Sequence, residues 1–249
     1  MNHPQGKAII VGASSGIGYE VARLLQQDGW MLGLAARRLS PLENLQQEFP
    51  KRTFVSQIDV NDAEAEAKLQ ALIGKMGGDI SLYIHVAGIG WQNPELRADE
   101  ELATMQTNAV GFARMIGAAF RYFAAREGGG HIAAITSIAG TRGLGMAPAY
   151  SATKAMQTTY LESLAQLAHM RRLPITITDL RPGFVRTPLL GDRAHYPMLM
   201  RPERVAQHIV KAIYKYKCVR VIDGRWRVLT ALWSLIPHTL WRKLIIRTR

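Results

Sequence analysis

The stretch K-A-I-I-V-G-A-S-S-G-I-G-Y-E-V-A-R-L-L, Lys7 to Leu25, decides the fold. Five residues of apolar strand pattern run into a glycine-rich loop, and an amphipathic helix begins inside that loop. Glycine lets the backbone turn sharply and approach a ligand closely, and a helix starting there aims its free N–H groups and positive dipole end forward. Such a loop alone is weak evidence, but between a strand and a helix it has the context that phosphate binding requires. A tight strand-to-helix turn that binds nothing is the other reading of these residues.

Working outward, short apolar runs alternate with amphipathic stretches, the pattern of repeated βαβ units. Strands are expected near Lys7–Val11, Met31–Ala36, Thr53–Ile58, Ile80–Val86, His131–Thr136, Ile175–Leu180 and Val219–Ile222. Helices are expected near Gly16–Asp28, Pro41–Glu48, Ala63–Lys75, Glu100–Arg126, Tyr150–Met170 and Pro202–Tyr216. This is an α/β chain with a Rossmann-type, doubly wound, seven-stranded parallel sheet and helices on both faces. Its 249 residues fit one such domain, which takes roughly 200–250 residues. The expected division is a single domain over 1–224 and a basic amphipathic extension over 225–249. Residues 188–200, rich in Pro, Met and Leu, read as a loop at the carboxyl ends of the strands, where a substrate lid would sit.

Hydrophobic residues make up 48% and charged residues 20% of the chain, a composition that supports a packed core and excludes wholesale disorder. Cys218 is the only cysteine, so no internal disulfide can form, no metal-binding cluster is expected, and a reducing, cytoplasmic setting is the natural reading. The N-terminus lacks the charged flank and apolar run of a secretory signal. A net charge of +12 invites a nucleic-acid or an anionic membrane partner. The distribution favours the membrane: Arg225, Arg227, Arg242, Lys243, Arg247 and Arg249 lie among Trp and Leu residues, with no acidic residue after Asp223. No nucleic-acid partner is expected.

Two further stretches carry chemistry. The second strand ends L-A-A-R-R, where Ala36 removes the carboxylate that would accept a ribose 2′-hydroxyl, and Arg37 and Arg38 supply cations suited to a 2′-phosphate. A solvated basic loop is the alternative. Ser137 ends an apolar strand in I-T-S-I-A-G, thirteen residues before Tyr150 of Y-S-A-T-K, and Lys154 follows four residues later. Tyr and Lys at i and i+4 share one helix face. The ammonium is expected to lower the phenol's pKa by stabilising the phenolate.

Together these residues resemble the short-chain dehydrogenase/reductase (SDR) family, over roughly residues 7 to 223. The resemblance implies an NADP(H)-dependent oxidoreductase of carbonyl reductase type, interconverting a ketone or aldehyde and an alcohol. Its catalytic set would be Asn108, Ser137, Tyr150 and Lys154: Tyr150 as acid/base, Ser137 steadying the carbonyl oxygen, Lys154 beside the phenol and the nicotinamide ribose, and Asn108 holding a water in a proton relay. Implied cofactor contacts are Gly12, Ser14, Ser15, Gly16, Ile17, Gly18, Arg37, Arg38, Asp59, Val60, Ala87, Gly88, Tyr150, Lys154, Pro182, Gly183, Val185 and Thr187. Asp59 can equally be an ordinary helix cap. The chain reads His85-Val86-Ala87-Gly88 where the family usually has Asn-Asn-Ala-Gly, and His85 is taken as structural. Resembling enzymes pair through their long helices, which implies a homodimer or tetramer.

A non-catalytic NADP(H)-binding or membrane-associated regulatory protein on the same fold is the rival reading. Apolar residues in the loops around the site, among them Trp91, Leu144, Met146, Leu189 and Tyr196, suggest a hydrophobic substrate, with a 3-keto lipid as a candidate. In the tail, Trp226, Leu229, Trp233, Ile236, Leu240 and Leu244 recur at helical spacing, with Pro237 as a break. The uncharged run Val228 to Trp241 is shorter than the ~20 residues that span a bilayer. The tail is therefore expected either to lie in a membrane interface or to pack on the protein itself.

Overall fold

The structure, a computed structural model, describes residues 6–190 and 196–246. Seven parallel strands form one sheet: β1 (Lys7–Val11), β2 (Met31–Ala36), β3 (Thr53–Gln57), β4 (Leu82–His85), β5 (Gly130–Ile135), β6 (Ile175–Pro182) and β7 (Val219–Ile222), in the order β3-β2-β1-β4-β5-β6-β7. The order reverses between β1 and β4, and the carboxyl ends of the strands open a crevice there.

Parallel strands are buried on both faces, which is why they read as nearly continuous apolar runs. Along β1, Ala8 and Ile10 face one core and Ile9 and Val11 the other. The first core is covered by α1 (Gly16–Gln27), α2 (Ser40–Glu48) and α7 (Pro202–Tyr214), through Val21, Leu25, Leu42, Val205 and Ile209 among others. The second is covered by α3 (Ala65–Lys75), α5 (Phe112–Ala124) and α6 (Pro148–Met170), through Leu69, Phe112, Phe123 and Leu161. The expected helix over Glu100–Arg126 is three segments: α4 (Ala98–Met105), a π-helical turn (Gln106–Gly111) and α5. A π turn widens the helix locally and shifts its carbonyls.

The tail forms α8 (Gly224–Ser234) and α9 (His238–Trp241), broken at Pro237. Its apolar positions divide between two sides. Trp226, 2% exposed, joins the first core against Phe184, and Trp233 packs beside it. Leu229, Leu240 and Leu244, which the spacing had put on the same stripe, are exposed instead, together with Val228, Leu232, Leu235 and Ile245. Among the described residues no helix is long and apolar enough to cross a membrane. The expected lid at 188–200 falls partly on 191–195, outside the described residues; its far end returns to the domain where Met200 bridges Val185.

Candidate active site

At the crevice the β1 loop and the end of β4 touch. Gly12 has φ 96°, and a Cβ there would lie 2.4 Å from the backbone nitrogen of Ala87. A Cβ on Gly18 would lie 2.2 Å from the carbonyl oxygen of Gly12. Only hydrogen fits at either position, so the loop Gly12–Gly18, including Ser14, Ser15, Gly16 and Ile17, folds back on itself in front of the α1 N-terminus. Thr187 packs against the same loop at Gly16. These features are what a pyrophosphate cradle needs: a close-packed backbone and a helix start aimed forward.

Arg37 and Arg38 follow β2 and are exposed. Arg37 lines a cleft of about 230 Å³ with Gln57, Asp59, Asp62 and Lys68. Gln57 donates through its side chain to the Arg37 carbonyl at 2.9 Å, and Lys68 pairs with Asp62 at 2.5 Å, holding that carboxyl below its usual range. Asp59 lines the cleft and accepts from the Asn61 N–H at 3.0 Å, a local turn bond; it does not cap α3, which begins after Glu64. Val60 is buried and its carbonyl accepts from Arg114. Gln57, Asp62 and Lys68 were missed in the sequence; they carry no motif and meet only because β3 and α3 flank the end of β2.

The chemical end is built by β4, β5 and α6. Ser137 follows β5; its hydroxyl oxygen accepts from the Ala139 N–H at 3.1 Å and its O–H is turned to the Tyr150 phenol. Tyr150 sits in the first turn of α6 with its ring against the backbone of Gly90, where a Cβ would lie 2.3 Å from the ring. The Lys154 ammonium is one turn on, 5.7 Å from the centre of that ring. Asn108 lies in the π-helical turn; its side chain accepts from the Ile89 N–H at 2.9 Å and donates to the Ile89 carbonyl at 2.6 Å. It thereby fixes the chain just after Ala87-Gly88. Pro182, Gly183 and Val185 run along the opposite wall, where the Trp226 indole lies on the Gly183 backbone.

One expectation needs correction. The Lys154 ammonium was expected to lower the Tyr150 phenol. It instead donates to the Ile135 carbonyl at 3.1 Å and to Gln157 Oε1 at 2.9 Å, and burial pushes the phenol up, with the neighbouring Ser137 hydroxyl pulling it partly back. Burial also brings Lys154 itself down to about 7, against a raising pull from Asp179. The Asn108 carbonyl, on the residue matched to a water holder, accepts from Gln157 Nε2 at 2.8 Å. Gln157 was not singled out in the sequence, where its only signal is a polar side chain three residues past Lys154.

His85 is buried as a structural residue: its Nδ1 meets the Tyr83 hydroxyl at 3.1 Å and its ring stands edge-on to Phe112. Burial holds it neutral, down to about 3, with the Lys154 charge adding to that effect. The loop after Ser137 carries a further unforeseen feature. Arg142 donates to the Ser234 carbonyl at 2.7 Å and to the Ile236 carbonyl at 2.5 Å, and lies over the Trp241 ring. Trp233 donates to Thr141 Oγ1 and Trp241 to the Gly143 carbonyl, each at 2.8 Å. The tail thus clasps the loop that follows Ser137. No group of side chains suited to a metal ion occurs among the described residues.

A family model described as short chain dehydrogenase matches residues 6–196. An uncharacterized oxidoreductase of Mycobacterium tuberculosis is 32% identical over 248 residues, covering 95% of this chain and 96% of its own. An alcohol dehydrogenase from the archaeon Thermococcus sibiricus, solved with 5-hydroxy-NADP, is 25% identical with a TM-score of 0.76, covering 90% of this chain and 98% of its own. A short chain dehydrogenase from Burkholderia cenocepacia, solved with NADP, shares the fold at a TM-score of 0.83 and 19% identity, with 98% of each chain covered.

Proposed function

Because the chain belongs to the short-chain dehydrogenase family of oxidoreductases, we propose that it is an NADP(H)-dependent carbonyl reductase with Tyr150 as its acid/base. The observation that carries this reading is the meeting of Ser137, Tyr150 and Lys154 beside Gly88–Gly90 at the carboxyl ends of β4 and β5. The residues present fit the cofactor. The Gly12–Gly18 loop and the α1 N-terminus suit the pyrophosphate, Arg37 and Arg38 the 2′-phosphate, and Asp59, Val60, Ala87 and Gly88 the adenosine. Tyr150, Lys154, Pro182, Gly183, Val185 and Thr187 suit the nicotinamide half.

When bound, the cofactor supplies a hydride to the carbonyl carbon as the C=O electron pair moves to oxygen. Tyr150 delivers its phenolic proton to that oxygen, and the Ser137 O–H, beside the phenol, donates to it and steadies it. A phenol raised by burial is protonated at neutral pH and so holds the proton that reduction consumes. Lys154, whose charge burial disfavours and Asp179 supports, lies beside the Tyr150 ring to stabilise the phenolate once the proton has left. Tyr150→Phe should therefore abolish NADPH-dependent reduction of straight-chain β-keto esters, by at least about a hundredfold, while NADPH quenches protein fluorescence as in the parent. Turnover within threefold of the parent would sink the mechanism.

Preference for NADP(H) rests on Ala36 and Arg37. Charge-assisted hydrogen bonds are worth about 1.5–3 kcal/mol, so NADPH should bind at least about tenfold better than NADH, and Arg37→Ala should erase most of the gap. Equal affinities in the parent would contradict this reading.

A second copy of the chain is the expected partner, as a homodimer or tetramer. Leu102, Met105 and Val110 on α4 and the π-helical turn, with Leu167 and Met170 on α6, are exposed apolar side chains on the long helices. Light scattering at micromolar concentration should report at least twice the 27.7 kDa of one chain, and a single-chain mass would overturn it.

The substrate is hydrophobic on this reading. Phe184, Tyr196 and Trp226 form an aromatic cluster beside Gly183, with ring centres 4.6 and 5.5 Å from Phe184. The exposed side of the tail, Val228, Leu232, Leu235 and Ile245 among Arg227, Arg242 and Lys243, suits an anionic bilayer surface, to which each basic residue adds about 1 kcal/mol. A peripheral contact there would bring lipid-like ketones, such as a 3-keto lipid, to the site. The parent should pellet with phosphatidylglycerol vesicles at low salt. Leu232→Asp with Leu235→Asp, altering only exposed positions, should remain in solution; equal behaviour of the two proteins would remove the membrane from this account.

A further inference from the structure

We propose that Gln157 is a positioning residue for the reaction: its buried carboxamide joins the Lys154 ammonium to the Asn108 carbonyl and holds the ammonium in its working place and charge state. The inference deepens the reductase reading above and rests on it.

Gln157 is 0% exposed. Its Oε1 accepts from Lys154 Nζ at 2.9 Å and its Nε2 donates to the Asn108 carbonyl at 2.8 Å. The amide orientation follows from its neighbours: reversed, it would set an N–H against the ammonium and an oxygen against a carbonyl oxygen, losing both bonds. Three elements meet at this one side chain. Lys154 and Gln157 stand three apart on α6, and Asn108 comes from the π-helical turn between α4 and α5. Asn108 is itself tied through its side chain to both backbone groups of Ile89. A shift of Gln157 is thus felt on the lysine and on the strand end that carries Gly88 and Gly90.

A carboxamide is a poor proton carrier. Passing a proton through it would require protonation at Oε1 and loss from Nε2, giving an unfavourable imidic acid. Gln157 can therefore orient Lys154 and supply it with an acceptor, while Tyr150 takes its replacement proton by another path. Its energetic role follows from burial. An ammonium out of water retains its proton only where acceptors meet it, and here these are the Ile135 carbonyl and Gln157 Oε1. The titratable groups facing it are Tyr150 from α6, Asp179 from β6, itself paired with Arg181 at 2.7 Å, and His85 from β4. Hydrogen bonds to the charged form favour that form. Removing one acceptor must push the lysine further down, so its charge is lost at lower pH on the way up.

The test uses the full chain with Gln157→Met, which keeps the length and removes both polar ends, and Gln157→Glu, which keeps an acceptor for Lys154. NADPH affinity, read by fluorescence, and turnover of a straight-chain β-keto ester are followed from about pH 6 to about pH 9. In Gln157→Met the alkaline limb of both profiles should move down by about one pH unit, the size expected for a hydrogen bond to a charged group. Its kcat at about pH 7.5 should fall about tenfold with KM for the keto ester changed less than twofold. Gln157→Glu should return the limb to the parent's position or above. A limb that stays put in folded Gln157→Met, or an equal loss in both variants at every pH, overturns the proposal. If Gln157→Met does not fold, Gln157→Glu decides alone, since its limb must not lie below the parent's. Should the parent reduce no carbonyl, the reductase reading fails on its own, and the NADPH-affinity profile still judges Gln157.

Discussion

Lys154 is 4% exposed, and a charge taken out of water must either find acceptors or give up its proton. Much of the architecture around the site can be traced to that constraint. The end of β5 turns its last carbonyl, that of Ile135, toward α6. The helix over 98–124 departs from α-helical form at 106–111, where the Asn108 carbonyl takes its bond from Gln157 rather than leaving that amide unpaired. Gly88 comes close to both Asn108 and Lys154; a Cβ there would lie 3.2 Å from one and 3.7 Å from the other. The sheet supplies the remaining charge, Asp179 on β6, which is itself held by Thr136 and Arg181. The lysine sits between full support and full desolvation, and for that reason its charge is sensitive to small changes at its acceptors.

The fold was legible because its signals are local and repeated. Each strand is an apolar run with its own boundary, and the observed β1, β2 and β7 coincide with the expected limits. The glycine loop was legible for a different reason: Gly12 and Gly18 stand where a methyl group would strike backbone, so sequence and geometry carry the same restriction. The reading that Tyr150 would be lowered by Lys154 was wrong because spacing along a helix sets which side chains are neighbours, not how deeply they are buried. Depth depends on Gly90 and on the β4 end, far away in sequence. Gln157 was illegible on similar grounds. A glutamine three residues past a lysine is common on solvated helix faces, and only the π-helical turn brings a carbonyl to its other end.

The tail shows the limit of periodicity. A stripe at helical spacing reports that a helix has an apolar side, and the break at Pro237 was correctly placed. It does not report how wide that side is. Here the inner residues Trp226 and Thr230 are buried while Leu229 and Leu232, within one turn, are exposed. The helix is apolar on two sides, one spent on the domain and one left outward, so packing on the protein and contact with a lipid surface are compatible rather than exclusive.

This arrangement bears on why family motifs leave the substrate unnamed. The match to the family ends at residue 196, yet the wall of the site is completed beyond it. Trp226 lies on Gly183 and Phe184, and the loop after Ser137 is held from outside by Trp233, Trp241 and the carbonyls that Arg142 grips. Within the domain that loop is held by Thr141, which bonds back to the Ile138 carbonyl, by the Leu144 N–H on Ser151 and by the Met146 carbonyl, which accepts from the Asn93 N–H at 2.9 Å. The shape of the crevice beside Ser137 and Gly183 is therefore set in part by a segment that lies past the family match. The Ser137–Tyr150–Lys154 group lies within the span that the family model matches, and the side chains that close the wall beside Gly183 and brace the loop after Ser137 lie past it.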